Sequence, residues 1–177
     1  FGHTSTTRPP PQLSKPCYHH LMPLTFLYND PDIFAVYKPA GIHSVRLPTG
    51  GGASIADELL KACPELALSS KSPGDAGLIH RLDEGTSGVL LGAKRRDVWE
   101  KLFDQAMAGE VQKTYALLVE GRFESARTIS SFIGSPHRGA KKVKVYEKQP
   151  PDWARALSGT TTFTPTSFIE RHNVTIL

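Results

Sequence analysis

Cysteine is scarce in this sequence of 177 residues, which carries only Cys17 and Cys63. Two cysteines leave no room for a disulfide framework or a four-cysteine zinc site, and they read as free thiols of a reducing compartment. Long apolar runs are missing as well. No stretch approaches the ~20 residues that a bilayer crossing requires, and the N-terminal residues lack the apolar region of a secretory signal. Strong charge of one sign is also absent. The 21 Lys and Arg residues against 17 Asp and Glu leave a formal net charge of +4, a surplus that permits a phosphate-bearing partner without demanding one. What is present, 39% hydrophobic and 21% charged residues, excludes a wholly disordered chain. The length suits about one domain, able to bury roughly 70% of its unfolded surface. A soluble, cytoplasmic protein is the expectation.

Residues 1–23 carry Pro9, Pro10, Pro11 and Pro16 among Ser, Thr and His, and read as a flexible arm. From Leu24 onward the pattern is globular. Residues 24–28 and 33–37 are short β-branched and aromatic runs around the turn cluster NDPD, which predicts a hairpin. Ser54, with Asp57 three residues on, predicts a helix start, and Pro64 its end. Residues 65–76 read as a loop and 89–93 as a buried strand. Val98, Leu102, Phe103, Ala106 and Met107 recur at helical spacing before Gly109. Strands are predicted at 111–119, 128–133, 142–146, 161–169 and 174–177. The fold class that follows is α+β, a mainly antiparallel mixed sheet flanked by a few helices. The last strand is still apolar where the sequence stops, so the expectation is that residues 24–177 are a domain lacking its C-terminal part.

The densest group of unusual residues is HRLDEGTSG at 80–88, placed just before the buried strand. Functional side chains are often held on loops with rigid flanks. A serine hydrolase built on His80, Asp83 and Ser87 would need Gly-x-Ser-x-Gly, whereas Ser87 is followed at once by Gly88. A metal site at His80 and Asp83 lacks further ligands at a recognisable spacing. The triplet Gly50, Gly51, Gly52 has neither the Walker lysine nor the dinucleotide spacing. The residues alone therefore support an active-site loop in a mildly basic domain.

The segment HRLD-x-x-TSG at 80–88 resembles the signature of the RluA-like RNA pseudouridine synthases. KPAG at 38–41 resembles that family's first motif, and KTYA at 113–116, running on to VEG at 119–121, the motif that carries its tyrosine. The resemblance implies a pseudouridine synthase catalytic domain acting on structured ribosomal or transfer RNA. It makes Asp83 the catalytic carboxylate, aimed into a cavity sized for an everted uridine. A carboxylate suits the work because it is ionised at neutral pH. It would attack C1′ of the sugar or take the proton from C2′, two routes the sequence leaves open. Tyr115 would line the pocket and stack on the base, although alternation alone puts it with Leu117 and Val119 on a core-facing strand. A uridine in folded RNA must leave its stack to be reached, and Arg81 would brace the vacated gap, its planar guanidinium suited to stacking and phosphate contact. Without the resemblance, Arg81 reads as an ion-pair partner of Glu84. The reaction is an isomerisation, so no cofactor and no metal are implied, and a monomer is expected.

Weaker RNA contacts are expected at His80, Lys38, Lys113, Lys141, Lys142 and Lys144. The last three belong to RGAKKVK at 138–144, the most basic run. Phosphate attraction and a strand edge protected by lysines are competing readings of it. The family's later motif, rich in Arg, His and Gln, supplies a basic partner for the aspartate, and nothing after Thr166 matches it. Weak or absent turnover is the expectation for residues 1–177 alone. The alternative is a non-catalytic RNA-binding protein that keeps the fold.

Overall fold

The computed structural model describes residues 24–47, 52–137 and 142–177. The expected arm at 1–23, the glycine triplet's first two members and Lys141 lie outside them. The chain forms two compact units, Phe1–Gln112 and Lys113–Leu177.

The first unit is built on a three-stranded sheet of β1 (Thr25–Asn29), β2 (Ile33–Lys38) and β3 (Gly88–Ala93), in that order and antiparallel throughout. The predicted hairpin is present. Its turn is closed by Asp30, whose Oδ1 accepts from the backbone N–H groups of Asp32 at 2.8 Å and Ile33 at 2.7 Å. This is the reason Asp and Asn favour such turns, since a short side chain bonds the backbone two or three residues on.

Side chains alternate across a strand: β2 buries Phe34, Val36 and Lys38 on one face, and β3 buries residues on both. Phe34, Val36 and Leu90 pack with Ile55 and Leu59 of helix α1 (Ile55–Ala62). Leu91 and Ala93 pack with Trp99 of helix α2 (Arg96–Met107) on the opposite face. Helix α1 starts as predicted: the Ser54 Oγ accepts from the Asp57 N–H at 3.1 Å and donates to the Asp57 carboxylate at 2.8 Å. The α2 register is fixed by Trp99, whose ring N–H donates to the Leu78 carbonyl at 3.0 Å. Gly92 is required for close approach, because a Cβ there would lie 2.2 Å from the Phe34 ring. The expected loop at 65–76 contains two short 3₁₀ helices, Pro64–Leu68 and Pro73–Asp75.

The second unit holds two antiparallel sheets. One orders β4 (Leu118–Glu120), β9 (Val174–Ile176) and β8 (Ser167–Ile169). The other orders β6 (Lys144–Tyr146), β5 (Arg127–Gly134) and β7 (Leu157–Phe163). The α+β class with antiparallel sheets and two α-helices is as expected.

Two strand expectations need correcting. The strand predicted at 111–119 is confined to Leu118–Glu120. Its ladder with β9 ends at the reciprocal bonds between Leu117 and Leu177, so residues 112–116 have no strand opposite them among the described residues. The strand predicted at 161–169 is two strands, β7 and β8, separated by a segment containing Pro165, which lacks the N–H a ladder needs. Among the described residues no helix is long and apolar enough to cross a membrane.

Candidate active site

The segment 80–88 has almost no regular structure of its own, and its shape comes from bonds to fixed neighbours. At its entry the Ile79 N–H donates to the Leu91 carbonyl at 3.0 Å, and the Leu91 N–H donates to Nε2 of His80 at 3.1 Å. The imidazole thus joins the loop to β3. This bond gives His80 a part in shaping the loop, beside the RNA contact expected of it.

On either side of Asp83 the backbone is held by the loop that follows β2. Ser44 is buried, and its Oγ donates to the Leu82 carbonyl at 2.7 Å and accepts from the Leu82 N–H at 2.9 Å. The Glu84 carbonyl accepts from the Gly41 N–H at 2.8 Å and from Nζ of Lys38 at 3.1 Å. Gly41 stands at φ +84°, a conformation that favours glycine. Asp83 itself is tied through its carbonyl, which accepts from the Thr86 N–H at 3.0 Å. Its carboxylate is exposed. The expectation that it faces into a cavity is therefore not met within its own unit, where it is carried at the outside of a clamped turn.

Lys38 requires a correction. An RNA contact was expected of it, yet its side chain is fully buried. Its ammonium donates to the carbonyls of Pro39 at 3.1 Å, Ile42 at 2.6 Å and Glu84 at 3.1 Å, which uses all three of its donors. Burial holds its pKa below that of an ordinary lysine, and the charges of Glu84 and Asp83 pull it part of the way back. Lys38 is a brace between two loops.

Around this clamp the electrostatics are mixed. Glu84 is exposed and stands 3.8 Å from Nε2 of His43. Arg81 is exposed and makes no ion pair with Glu84 among the described residues, so the ion-pair reading of it is not supported. Ser87 is exposed as well. Nearby, Arg46 pairs with Asp57 at 3.0 Å. Burial alone would raise the Asp57 pKa, but the Ser54 hydroxyl and the Arg46 guanidinium outweigh it and hold the carboxyl below its usual value.

The remaining expected site residues belong to the second unit. Tyr115 is 52% exposed and lies outside any strand, so its reading as a core residue is corrected. Lys113, Lys142 and Lys144 are exposed, with the Lys144 ammonium 5.3 Å from the centre of the Tyr146 ring. A cavity of about 450 Å³ in this unit is lined by Arg122, Phe123, Pro165, Phe168 and Thr175 among others, and by none of the expected site residues. Among the described residues no group of three or more His, Cys, Asp or Glu side chains is placed to hold a metal ion. Sequence reasoning missed Ser44, and it found Gly41 only as the end of the KPAG motif, without its bond to Glu84. A lone serine and a loop glycine carry no spacing signal, and only the fold brings them against residues 82 and 84.

Comparison with known proteins accounts for this arrangement. The family profile described as RNA pseudouridylate synthase matches residues 32–167. The chain belongs to that family, as the motifs at 38–41, 80–88 and 113–121 led us to expect. Among curated relatives, the ribosomal large subunit pseudouridine synthase D of Xylella fastidiosa is 31% identical over 126 residues, covering 70% of this chain and 36% of the relative. Its counterpart from Pseudomonas aeruginosa is 34% identical over 113 residues, covering 63% and 33%. The synthase C of Pasteurella multocida is 33% identical over 99 residues, covering 56% and 28%. The chain thus spans about a third of the length of the curated relatives it matches. The solved structure of human RNA pseudouridylate synthase domain containing 4 covers 86% of this chain and 56% of its own, with a TM-score of 0.58 at 21% identity, a likeness of fold.

Proposed function

We propose that the protein is an RNA pseudouridine synthase that isomerises uridine in structured RNA, with ribosomal RNA the first candidate substrate. The reading is carried by one observation: within a family match covering residues 32–167, the exposed carboxylate of Asp83 sits between Leu82 and Glu84, both of which are tied to the loop after β2. Clamping the flanks while leaving the acid accessible is what a reacting group on a loop requires, because position is most of what an enzyme adds to a weak nucleophile or base. The choice of ribosomal RNA follows the names of the relatives, which are large-subunit synthases C and D.

In this reading the C1′–N1 bond of uridine breaks, the base turns over, and a C1′–C5 bond forms. N1 gains a proton and C5 loses one, so the atoms balance with no added reagent. Asp83 acts at the sugar, Tyr115 lines the base pocket, and Arg81 braces the gap left by the everted uridine. Lys113, Lys142 and Lys144 contribute phosphate attraction.

The loss of the C5 hydrogen supplies the test. The full-length protein, given large-subunit ribosomal RNA transcribed with [5-³H]uridine, is expected to release tritium to water, and mapping of the product should show pseudouridine at discrete positions. Tight binding of that RNA with no release above a protein-free control would overturn the synthase reading in favour of a non-catalytic RNA-binding protein.

A further inference from the structure

Ser44 lies six residues beyond Lys38, in the loop between β2 and α1, and is only 3% exposed. Its single hydroxyl serves both backbone groups of one residue, the carbonyl of Leu82 at 2.7 Å and the N–H of Leu82 at 2.9 Å. The N–H and C=O of one residue point to the same side only when that residue is extended. A residue in a hydrogen-bonded antiparallel pair exchanges both bonds with its opposite number in this way. Here one oxygen atom replaces the partner strand. Both soft dihedrals of Leu82 are held by it, and these set the direction in which the chain enters Asp83.

The Asp83 side chain has no hydrogen bond or ion pair of its own among the described residues, so its aim is inherited from its backbone. The exit side is secured by the two bonds to the Glu84 carbonyl, and the entry side by Ser44. Substitution of the hydroxyl alone leaves the rest of the local structure in place. The carbonyl of Ser44 accepts from the Ala56 N–H at 3.0 Å at the start of α1, and this bond does not involve the side chain.

We propose that Ser44 is a positioning residue for Asp83: through its paired bonds to Leu82 it fixes the approach of the carboxylate to the sugar of the bound uridine. The inference rests on the synthase reading above and names the device that gives it precision.

The experiment uses the full-length protein and the tritiated large-subunit transcript, with the single-turnover rate constant measured under saturating enzyme and RNA affinity measured separately. S44A is expected to lower the rate constant by about ten- to a hundredfold, the scale of a small misplacement of a reacting group. RNA affinity should stay within about twofold of the wild type, since no RNA contact is removed. Amide hydrogen exchange should rise at Leu82 and Asp83 and remain unchanged in α2. S44T, which keeps the hydroxyl, should recover most of the rate.

A folded S44A protein with the wild-type rate constant would reject the positioning role while leaving the synthase reading intact. Wild-type protein that releases no tritium would defeat both. If S44A does not fold, S44C takes its place, and its weaker bonds should give an intermediate rate. Failure of both to fold would make Ser44 a stability residue only, and the positioning role would be rejected.

Discussion

The ammonium of Lys38 lies 3.1 Å from the carbonyl of Glu84, 46 residues further along the chain, inside a part of the fold that admits no solvent to the lysine. A charge in that position is costly unless it is hydrogen-bonded, and the carbonyls of Pro39, Ile42 and Glu84 meet the requirement. The first motif and the aspartate motif are therefore one structural object, joined by a buried cation.

That junction makes the consequence of K38M specific. Methionine keeps the length of the stem but removes the donors, leaving the carbonyls of Pro39 and Ile42 short of a partner, whereas Glu84 retains the Gly41 N–H. A fully buried carbonyl left unsatisfied costs about 1–3 kcal/mol; Pro39 and Ile42 are half-buried, so a total loss in the lower half of the range for two, about 2–4 kcal/mol, is expected in urea denaturation. The slope of the transition should be unchanged. A loss under about 0.5 kcal/mol would show that the three bonds contribute no net stability.

D83N separates chemistry from folding. The side chain is exposed, and the turn bond from the Thr86 N–H goes to the Asp83 carbonyl, so the substitution should leave stability within about 0.5 kcal/mol of the wild type. Tritium release should fall by at least about 10³-fold, as expected when a reacting group is removed. S87A should keep most of the activity. If S87A were as damaging as D83N with the fold intact, a serine-centred reaction would have to replace the synthase reading.

For the phosphate attraction proposed for the lysines of the basic run, the measurement is a salt slope. Lys142 and Lys144 are exposed, and Lys144 already stands over Tyr146. Each phosphate contact on single-stranded RNA contributes roughly −0.7 to the slope of log K against log salt. Replacing Lys141, Lys142 and Lys144 by alanine should flatten that slope by about one to two units and weaken binding similarly across RNA sequences. An unchanged slope would assign these lysines to protection of the β6 edge.

Much of the first unit was legible because its signals are local. The Asp30 turn, the Ser54 cap and the stripe of Val98, Leu102, Phe103 and Ala106 each depend on residues within a few positions of one another, so spacing reports them directly. The second unit was read less well. Residues 112–116 and 161–169 have β-rich composition, but a strand exists only where another backbone is opposite, and composition does not say where that partner ends. Lys38 was misread for a related reason. A lysine is taken as solvent-facing by default, and the three carbonyls that bury it come from residues 39, 42 and 84, the last of which only folding brings near. The loop at 80–88 could be found as a motif, whereas the clamp around it could not.

Acid should destabilise the first unit, because several of its turns and caps rely on carboxylates in their ionised form. Asp30 is held below its usual pKa by the N–H groups of Ile33 and Asp32 and by the Tyr28 hydroxyl. Asp57 is lowered on balance by Ser54 and Arg46 against the effect of burial. Asp97, bonded to Arg95 at the start of α2, is lowered from 3.8 to about 2. A carboxyl whose pKa is lower folded than unfolded binds fewer protons in the native state, so its stabilisation is complete above the unfolded value and disappears as pH falls through the folded one. The thermal midpoint should hold steady from pH 7 to about 5, decline below about 4, and continue to fall down to about 2. D97N should flatten the lowest part of that decline, because the group that titrates there has been removed. A midpoint that stays level down to pH 2, or a decline that D97N leaves unaltered, would show that these bonds are equally available to the unfolded chain.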